Sequence, residues 1–255
     1  MSAPVVEIFS SIQGEGLLVG ERQVFLRFAG CNLCCAYCDT PGAQVVPATC
    51  RVERAAGSGD FDKIPNPLSC TDIADAIRGL VRPQPGLHHS VALTGGEPLL
   101  HAEFLTELLP LLGDLGLEAY LETNGTLADE LVKIIAHLDF ICADIKLPSA
   151  TRQAPQWESH ERFLLALAGH EDPARLDFWK CVVTADCEPE EVEHAASLIA
   201  SVNPEAALVL QPVTPTRPQI QAPAARRMLY LQAVAKRHLP EVRVIPQMHR
   251  AGGYL

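Results

Sequence analysis

Apolar residues occur along the chain in two spacings, short runs typical of buried strands and longer stretches with helical periodicity. The short runs predict strands at residues 24–29, 90–94, 118–122, 140–145, 176–183, 207–211 and 242–245. The helical spacing predicts helices at about 71–80, 102–115, 127–138, 158–169, 188–201 and 222–238. Strands that alternate with helices of this length form right-handed parallel βαβ units. About six such units predict one α/β domain over residues 1–255, built as a partial, open parallel barrel.

One segment, residues 41–69, departs from this alternation. It contains the turn sequence Arg54-Ala-Ala-Gly-Ser-Gly-Asp and the prolines Pro65 and Pro67. Glycine and proline at this density indicate loops and turns. The segment is therefore predicted to be an irregular insertion that follows the first predicted strand and the cysteine-rich loop.

Polar residues follow the predicted strands at their carboxyl ends. These groups are Cys31–Cys38, Thr94–Pro98, Glu122–Gly125, Asp144–Lys146, Lys180 or Thr184, and Gln211–Thr214. In parallel α/β folds the carboxyl ends of the strands meet at one edge, where substrates and cofactors bind. The pattern therefore predicts an enzyme, and this expectation does not depend on any single motif.

The charge balance is acidic, with 31 Asp and Glu against 20 Lys and Arg and a net charge of −11. This excess opposes non-specific binding to nucleic acids and to anionic membranes. The N-terminal residues lack the basic and apolar regions of a signal peptide, and no apolar run reaches 18 residues. A cytoplasmic protein without a membrane segment is expected.

Four of the nine cysteines, Cys31, Cys34, Cys35 and Cys38, lie within eight residues of one another. The other five are scattered and are interpreted as small buried side chains. The spacing Cys-x3-Cys-x2-Cys of Cys31, Cys35 and Cys38 lets three thiolates bind one face of a cubic iron–sulfur cluster and leaves the fourth iron open. Cys34 is then a packed or exposed side chain without a ligand role.

Two alternatives remain for this cluster of cysteines. A structural zinc site prefers four protein ligands, commonly in two separated pairs, and no second Cys-x2-Cys or His-x3-His pair follows downstream. The vicinal pair Cys34–Cys35 and the Cys35-Ala-Tyr-Cys38 sequence also permit a redox dithiol. The number and spacing of the ligands favour iron–sulfur.

At these residues the chain resembles a known group of enzymes. The Cys31–Cys38 loop, with Tyr37 before its last cysteine, is similar to the cluster loop of the radical S-adenosylmethionine (SAM) superfamily, and Thr94-Gly-Gly-Glu-Pro98 to its methionine-binding motif. More narrowly, Glu7–Gly16, Phe25–Leu33 and Cys38–Thr40 resemble the family of 7-carboxy-7-deazaguanine synthases. The resemblance covers residues 5–40 and 90–147 and is loose towards the C-terminus.

The resemblance implies a fold of the radical SAM type and a defined reaction. In this family a 4Fe–4S cluster and SAM generate a 5′-deoxyadenosyl radical, which abstracts a hydrogen from 6-carboxy-5,6,7,8-tetrahydropterin. Ring contraction and loss of ammonia then give 7-carboxy-7-deazaguanine, a precursor of queuosine and other deazapurines. The family depends on Mg²⁺, takes an electron from a donor such as flavodoxin, and is usually a homodimer.

The resemblance also implies site residues. The cluster ligands are Cys31, Cys35 and Cys38, and the Mg²⁺ ligand is Thr40. The SAM-binding residues are Tyr37, Gly95, Gly96, Glu97, Thr123, Asn124, Asp144, Lys146 and Gln211, with Glu97 accepting from the ammonium group. The substrate-binding residues are Gln13, Glu15, Gly16, Arg27, Thr94 and His249, with Arg27 binding the carboxylate.

Two other functions are compatible with parts of this pattern. A glycyl-radical activase shares the cluster loop, but its protein substrate gives Gln13, Glu15 and Arg27 no reason to form a small polar pocket. A non-catalytic module that binds zinc or a cluster leaves Gly95-Gly-Glu-Pro98 and the polar strand ends unexplained.

Overall fold

The computed structural model describes residues 1–170 and 172–254, so Glu171 and Leu255, within the predicted 1–255 domain, lie outside the described residues. The strands are β1 Ser2–Ala3, β2 Val5–Ile12, β3 Arg22–Phe28, β4 Thr49–Glu53, β5 Phe61–Pro65, β6 Leu68–Ser69, β7 Ser90–Gly95, β8 Glu118–Thr123, β9 Phe140–Asp144, β10 Leu176–Val183, β11 Ala207–Pro212 and β12 Val242–Val244. The α-helices are α1 Cys70–Val81, α2 Ala102–Gly113, α3 Ala128–Ile134, α4 Pro148–Thr151, α5 Trp157–Ala168, α6 Pro189–Val202, α7 Ala225–Ala235 and α8 Met248–Gly252. Short 3₁₀ turns lie at Pro41–Gln44, Pro98–His101 and Ile135–His137.

Ten of the strands form one sheet in the order β12-β11-β10-β9-β8-β7-β3-β2-β4-β5. Neighbours from β12 to β3 are parallel, and α1, α2, α3, α5, α6 and α7 connect them in turn. Within the described residues the edge strands β12 and β5 do not pair with each other. The predicted open α/β architecture of about six βα units is therefore confirmed, and each predicted helix and strand overlaps an observed one.

The expectation of an irregular segment at residues 41–69 is wrong. Strands β4 and β5 form an antiparallel hairpin there, and β4 pairs in parallel with β2, which itself runs antiparallel to β3. Most of β5 is exposed and its sequence, Phe-Asp-Lys-Ile-Pro, has no clear apolar alternation, so its pattern does not predict a strand. Strand β5 forms instead because its backbone pairs with that of β4 at the edge of the sheet.

The two faces of the sheet differ in what they contact. The outer face packs against the helices in an aliphatic core that includes Leu26, Leu93 and Ile141. The inner face carries a smaller, partly aromatic cluster around Phe9, Tyr120 and other buried residues. The five scattered cysteines are all buried, as predicted. No helix among the described residues is long and apolar enough to cross a membrane.

A buried histidine on α5 joins the carboxyl ends of two central strands. His160 Nδ1 lies 2.9 Å from the carbonyl oxygen of Gly125, after β8, and the backbone N–H of Lys146, after β9, donates to His160 Nε2 at 3.0 Å. Since Nε2 accepts, Nδ1 carries the proton and the ring is neutral. Burial lowers the pKa of His160 to about 4.

This low pKa predicts a pH-dependent stability. The pKa of His160 is lower in the folded than in the unfolded chain, so the unfolded chain takes up the proton first and stability falls on acidification. From pH 7 to pH 5 we expect the free energy of unfolding to fall by about 2 kcal/mol more in the wild type than in His160→Gln, measured by anaerobic urea unfolding. The exposed His170→Gln is the matched control. Equal pH dependence of wild type and His160→Gln would contradict this assignment.

Candidate active site

A cavity of about 340 Å³ opens at the carboxyl ends of β3 and β7–β11, on the inner face of the sheet. Most of the residues predicted from the sequence line it. They are Gln13, Glu15, Arg27, Cys31, Cys35, Tyr37, Cys38, Thr40, Thr94, Gly95, Gly96, Thr123, Asn124, Asp144, Lys146, Gln211 and His249. The structure thus brings together in one cavity residues that are up to 236 positions apart in the chain.

The cysteine loop presents three of its four thiols to the cavity. Cys31, Cys35 and Cys38 line it and are partly buried, whereas Cys34 is exposed and lies outside it. Burial raises the pKa of the three cavity thiols, so their thiolate forms need a nearby positive charge. An iron cluster supplies such a charge, and three converging thiols fit a cluster with one open iron.

The Gly95–Gly96 pair allows the end of β7 to lie directly against the backbone that leads into the cysteine loop. A Cβ atom on Gly95, whose φ is +125°, would lie 2.2 Å from the carbonyl oxygen of Phe28. One on Gly96 would lie 1.9 Å from the carbonyl oxygen of Gly30. Both positions therefore require glycine for packing within the protein, as well as for any ligand in the cavity.

Glu97 and Gly16 are the two predicted site residues that do not line the cavity. The buried carboxylate of Glu97 accepts hydrogen bonds from the Thr123 hydroxyl at 2.8 Å, the Asn124 backbone N–H at 2.7 Å and the Leu99 backbone N–H at 3.0 Å. These three hydrogen bonds make Glu97 a structural link between the ends of β7 and β8, and its contact with an ammonium group stays a prediction. Burial raises the pKa of Glu97.

Gly16 is required by the packing beneath the cavity. Its φ is +66°, and a Cβ atom there would lie 2.6 Å from the ring of Phe178. Packing therefore requires glycine at this position, and the ligand contact of Gly16 stays a prediction.

Two buried lysines and two carboxylates alternate across the cavity. Lys180 Nζ lies 2.5 Å from Glu15 Oε2 and 3.7 Å from Asp144 Oδ1, and Lys146 Nζ lies 2.7 Å from Asp144 Oδ2. Burial disfavours the charges of Glu15 and of both lysines, but Lys180 and Gln247 hold the pKa of Glu15 at about 2. The facing carboxylates likewise hold the pKa of both lysines well above the usual value. The cavity therefore carries fixed charges of both signs.

Several polar residues of the cavity lie outside the predicted set of site residues, among them Asp39, Glu122, Lys180 and Gln247. Glu122 accepts from Gln13 at 2.9 Å, and Lys180 pairs with Glu15. Gln247 donates to Glu15 at 2.6 Å and to Asp39 at 2.8 Å. Glu122 and Lys180 both lie at polar strand ends, so this signal was present in the sequence; the position of Gln247 depends on the packing of the C-terminal segment.

Several polar groups of the cavity remain available to a ligand. Within the described residues, Gln211 Oε1 and Asp144 Oδ1 are buried without a hydrogen-bond partner. Arg27 donates from Nε to Glu7 at 3.0 Å, and within the described residues its two terminal amino groups have no hydrogen-bond partner. The Thr40 hydroxyl donates to Asp39 at 3.0 Å and keeps its oxygen lone pairs. Buried acceptor atoms such as Gln211 Oε1 and Asp144 Oδ1 normally have hydrogen-bond partners, so a ligand that offers N–H groups fits this cavity.

Comparisons with known proteins agree with this geometry. The sequence profile of the Radical SAM superfamily matches residues 26–164. The chain is 44% identical to 7-carboxy-7-deazaguanine synthase of Geobacter sulfurreducens, covering 99% of this chain and 98% of the relative. It is 36% identical to the enzyme of the same name from Methanothermobacter thermautotrophicus, again over 99% and 98%.

Among solved structures, QueE from Escherichia coli is similar with a TM-score of 0.60 and 21% identity, over 98% of this chain and 95% of that one. This likeness supports the fold. The superfamily profile and the full-length relatives together establish that the chain belongs to the radical SAM superfamily and, within it, to the family of the 7-carboxy-7-deazaguanine synthases.

Proposed function

We propose that this enzyme converts 6-carboxy-5,6,7,8-tetrahydropterin into 7-carboxy-7-deazaguanine. The proposal depends on one observation: a single cavity of about 340 Å³ is lined by three partly buried thiols together with partly buried glutamates, amide groups and an arginine. A protein substrate does not need so small a polar cavity, which disfavours a glycyl-radical activase. The full-length relatives equally disfavour a non-catalytic metal-binding module.

The radical SAM superfamily uses a 4Fe–4S cluster and SAM, and the cavity residues fit both. When bound, these groups supply a 5′-deoxyadenosyl radical that abstracts a hydrogen atom from the substrate. Cys31, Cys35 and Cys38 would hold the cluster. The residues proposed to contact SAM are Tyr37, Gly95, Gly96, Thr123, Asn124, Asp144, Lys146 and Gln211. Gln211 Oε1 and Asp144 Oδ1, which have no hydrogen-bond partner within the described residues, would accept from N–H or O–H groups of SAM.

The opposite wall would bind the pterin. Glu15 stays ionised because its pKa is about 2, so it accepts from the N–H groups of the pterin edge. Gln13 donates to Gln23 and to the Glu122 carboxylate and accepts from the backbone N–H of Glu15. It would therefore act on the substrate by orienting the Glu122 carboxylate and the backbone that carries Glu15. Arg27 would bind the substrate carboxylate with its terminal amino groups.

Three further residues complete the proposed site. Thr94 lies beside Arg27 in the sheet, and His249 packs against Gly14 at the cavity wall. Thr40 would place its hydroxyl oxygen on Mg²⁺, which keeps several waters and needs few protein ligands. The carboxylate of Asp39, which accepts a hydrogen bond from the Thr40 hydroxyl, would orient the Thr40 oxygen towards the ion.

The wider organisation of the enzyme follows the family resemblance. An enzyme of this family acts on a small molecule and, as a radical SAM enzyme, needs an electron donor. We propose a flavodoxin as the donor, a homodimer as the assembly, the cytoplasm as the location and the 255 residues as one domain.

The direct test is an anaerobic assay of the reconstituted enzyme with reductant, SAM, Mg²⁺ and 6-carboxy-5,6,7,8-tetrahydropterin, analysed by mass spectrometry. We expect 7-carboxy-7-deazaguanine. Formation of 5′-deoxyadenosine without this product would move the substrate to another compound, and absence of both would overturn the radical chemistry.

The cluster assignment predicts opposite results for two adjacent cysteines. Cys35→Ala is expected to lose the bound iron, the brown colour and all activity, because two remaining thiolates do not hold the cluster. Cys34→Ala is expected to keep all three, because Cys34 lies outside the cavity. Iron analysis and the visible absorption spectrum after anaerobic reconstitution distinguish the two. An intact cluster in Cys35→Ala would refute the ligand set.

The carboxylate assignment predicts a selective defect in Arg27→Ala. Loss of a charge-assisted hydrogen bond costs about 1.5–3 kcal/mol, so KM for the carboxypterin should rise roughly 10- to 150-fold. Cleavage of SAM in the absence of substrate should continue at the wild-type rate, because Arg27 is not proposed to contact SAM. Steady-state kinetics and the yield of 5′-deoxyadenosine measure the two effects. A wild-type KM would exclude this role of Arg27.

A further inference from the structure

A row of five polar residues, four of them charged, crosses the sheet from the cavity to the β4–β5 hairpin. Thr94, Arg27, Glu7, Arg51 and Lys63 are consecutive neighbours on the adjacent strands β7, β3, β2, β4 and β5. Directly opposed residues on neighbouring strands share one face of the sheet and lie close enough for their side chains to interact. The hairpin is therefore connected to the cavity through Glu7.

Each oxygen of the Glu7 carboxylate has its own arginine. Arg27 Nε lies 3.0 Å from Glu7 Oε1, and Arg51 Nη1 lies 3.4 Å from Glu7 Oε2. The side chains of Arg27 and Glu7 are 18% exposed, so solvent screens this pair only partly. Arg51 is 48% exposed, and its guanidinium lies over the ring of Phe61 at 4.1 Å. Phe61, at the start of β5, thus holds Arg51 in place by a cation–π contact.

The two arginines compete for one negative charge. If Glu7 faced Arg27 alone, the pair would be neutral and the carboxylate would draw the guanidinium away from an anionic ligand. With Arg51 on the other oxygen, the three side chains carry a net charge of +1, and Glu7 fixes Arg27 only through Nε. The terminal amino groups of Arg27 then remain available on the cavity side.

We propose that Arg51 is a positioning residue that, through Glu7, keeps Arg27 oriented and electrostatically available for the carboxylate of the substrate. This inference rests on the proposed function, in which Arg27 binds that carboxylate. It gives the β4–β5 hairpin, which contributes no residue to the cavity lining, a role in substrate binding. Phe61 supports the same role by holding Arg51.

The test compares binding of two ligands to the reconstituted enzyme with SAM and Mg²⁺ but without reductant, so that no turnover occurs. The ligands are 6-carboxy-5,6,7,8-tetrahydropterin and tetrahydropterin, which lacks the carboxylate, and anaerobic titration calorimetry gives Kd. For Arg51→Ala we expect Kd of the carboxylated ligand to rise about 3- to 10-fold, as for loss of one partly screened charge. Kd of tetrahydropterin should not change.

Two controls separate positioning from folding of the hairpin. Arg51→Lys keeps the charge and should keep most of the affinity. Arg54→Ala removes an arginine of the same hairpin that pairs with Asp62 and does not reach Glu7, and it should bind both ligands as the wild type does. Equal losses in Arg54→Ala and Arg51→Ala, or a loss in Arg51→Ala that is the same for both ligands, would overturn the proposal.

A double-mutant cycle tests the route through Glu7. In the Glu7→Gln background, Arg51→Ala should have little additional effect on the carboxylated ligand, because the charge that Arg51 balances is gone. Additive effects would overturn the route. Arg27→Ala separates the two hypotheses. If Arg27→Ala loses the preference for the carboxylated ligand while Arg51→Ala binds it as the wild type does, Arg27 binds the carboxylate but Arg51 does not position Arg27. If Arg27→Ala keeps the preference, both the carboxylate role of Arg27 and the positioning role of Arg51 are wrong.

Discussion

The site depends on the close backbone contact between the end of β7 and the chain that leaves β3. Gly96 N–H donates to the carbonyl oxygen of Phe28 at 3.1 Å, and Glu97 N–H donates to that of Gly30 at 2.8 Å. No side chain fits at Gly95 or Gly96 without displacing this backbone. The contact fixes where the cysteine loop begins, and therefore where its three thiols lie relative to the strand ends. The buried Glu97 carboxylate extends the same arrangement to β8.

The cavity at these strand ends is strongly charged although the charged side chains are largely buried. Burying an unpaired charge is costly, and here each buried lysine has a carboxylate partner. The result is a set of ionised groups held in place before any ligand arrives, which suits ligands that carry both signs of charge. The chain as a whole is acidic, with a net charge of −11, yet Arg27, Lys146 and Lys180 make local positive sites in the cavity. Overall charge therefore says little about what this cavity binds.

The sequence predicted the parallel part of the fold well because β7–β11 are buried on both faces and their apolar runs are continuous. It did not predict the antiparallel extension, because β5 is largely exposed and is formed by pairing with β4. Motif resemblance located most cavity residues but not their partners. It did not reveal that the Glu97 carboxylate also accepts hydrogen bonds from Thr123 and Asn124, 26 and 27 positions further along the chain. Local sequence patterns do not predict hydrogen-bond partners that lie this far apart in the chain.

The burial of the three cavity thiols has a consequence for how the protein matures. A thiol must lose its proton before it binds a metal or reacts with an oxidant. Because burial raises the pKa of Cys31, Cys35 and Cys38, most of these groups are protonated in the cluster-free chain at neutral pH. Cluster insertion is therefore a step that releases protons and becomes more favourable as the pH rises. The same protonation slows air oxidation of the three thiols in the cluster-free chain.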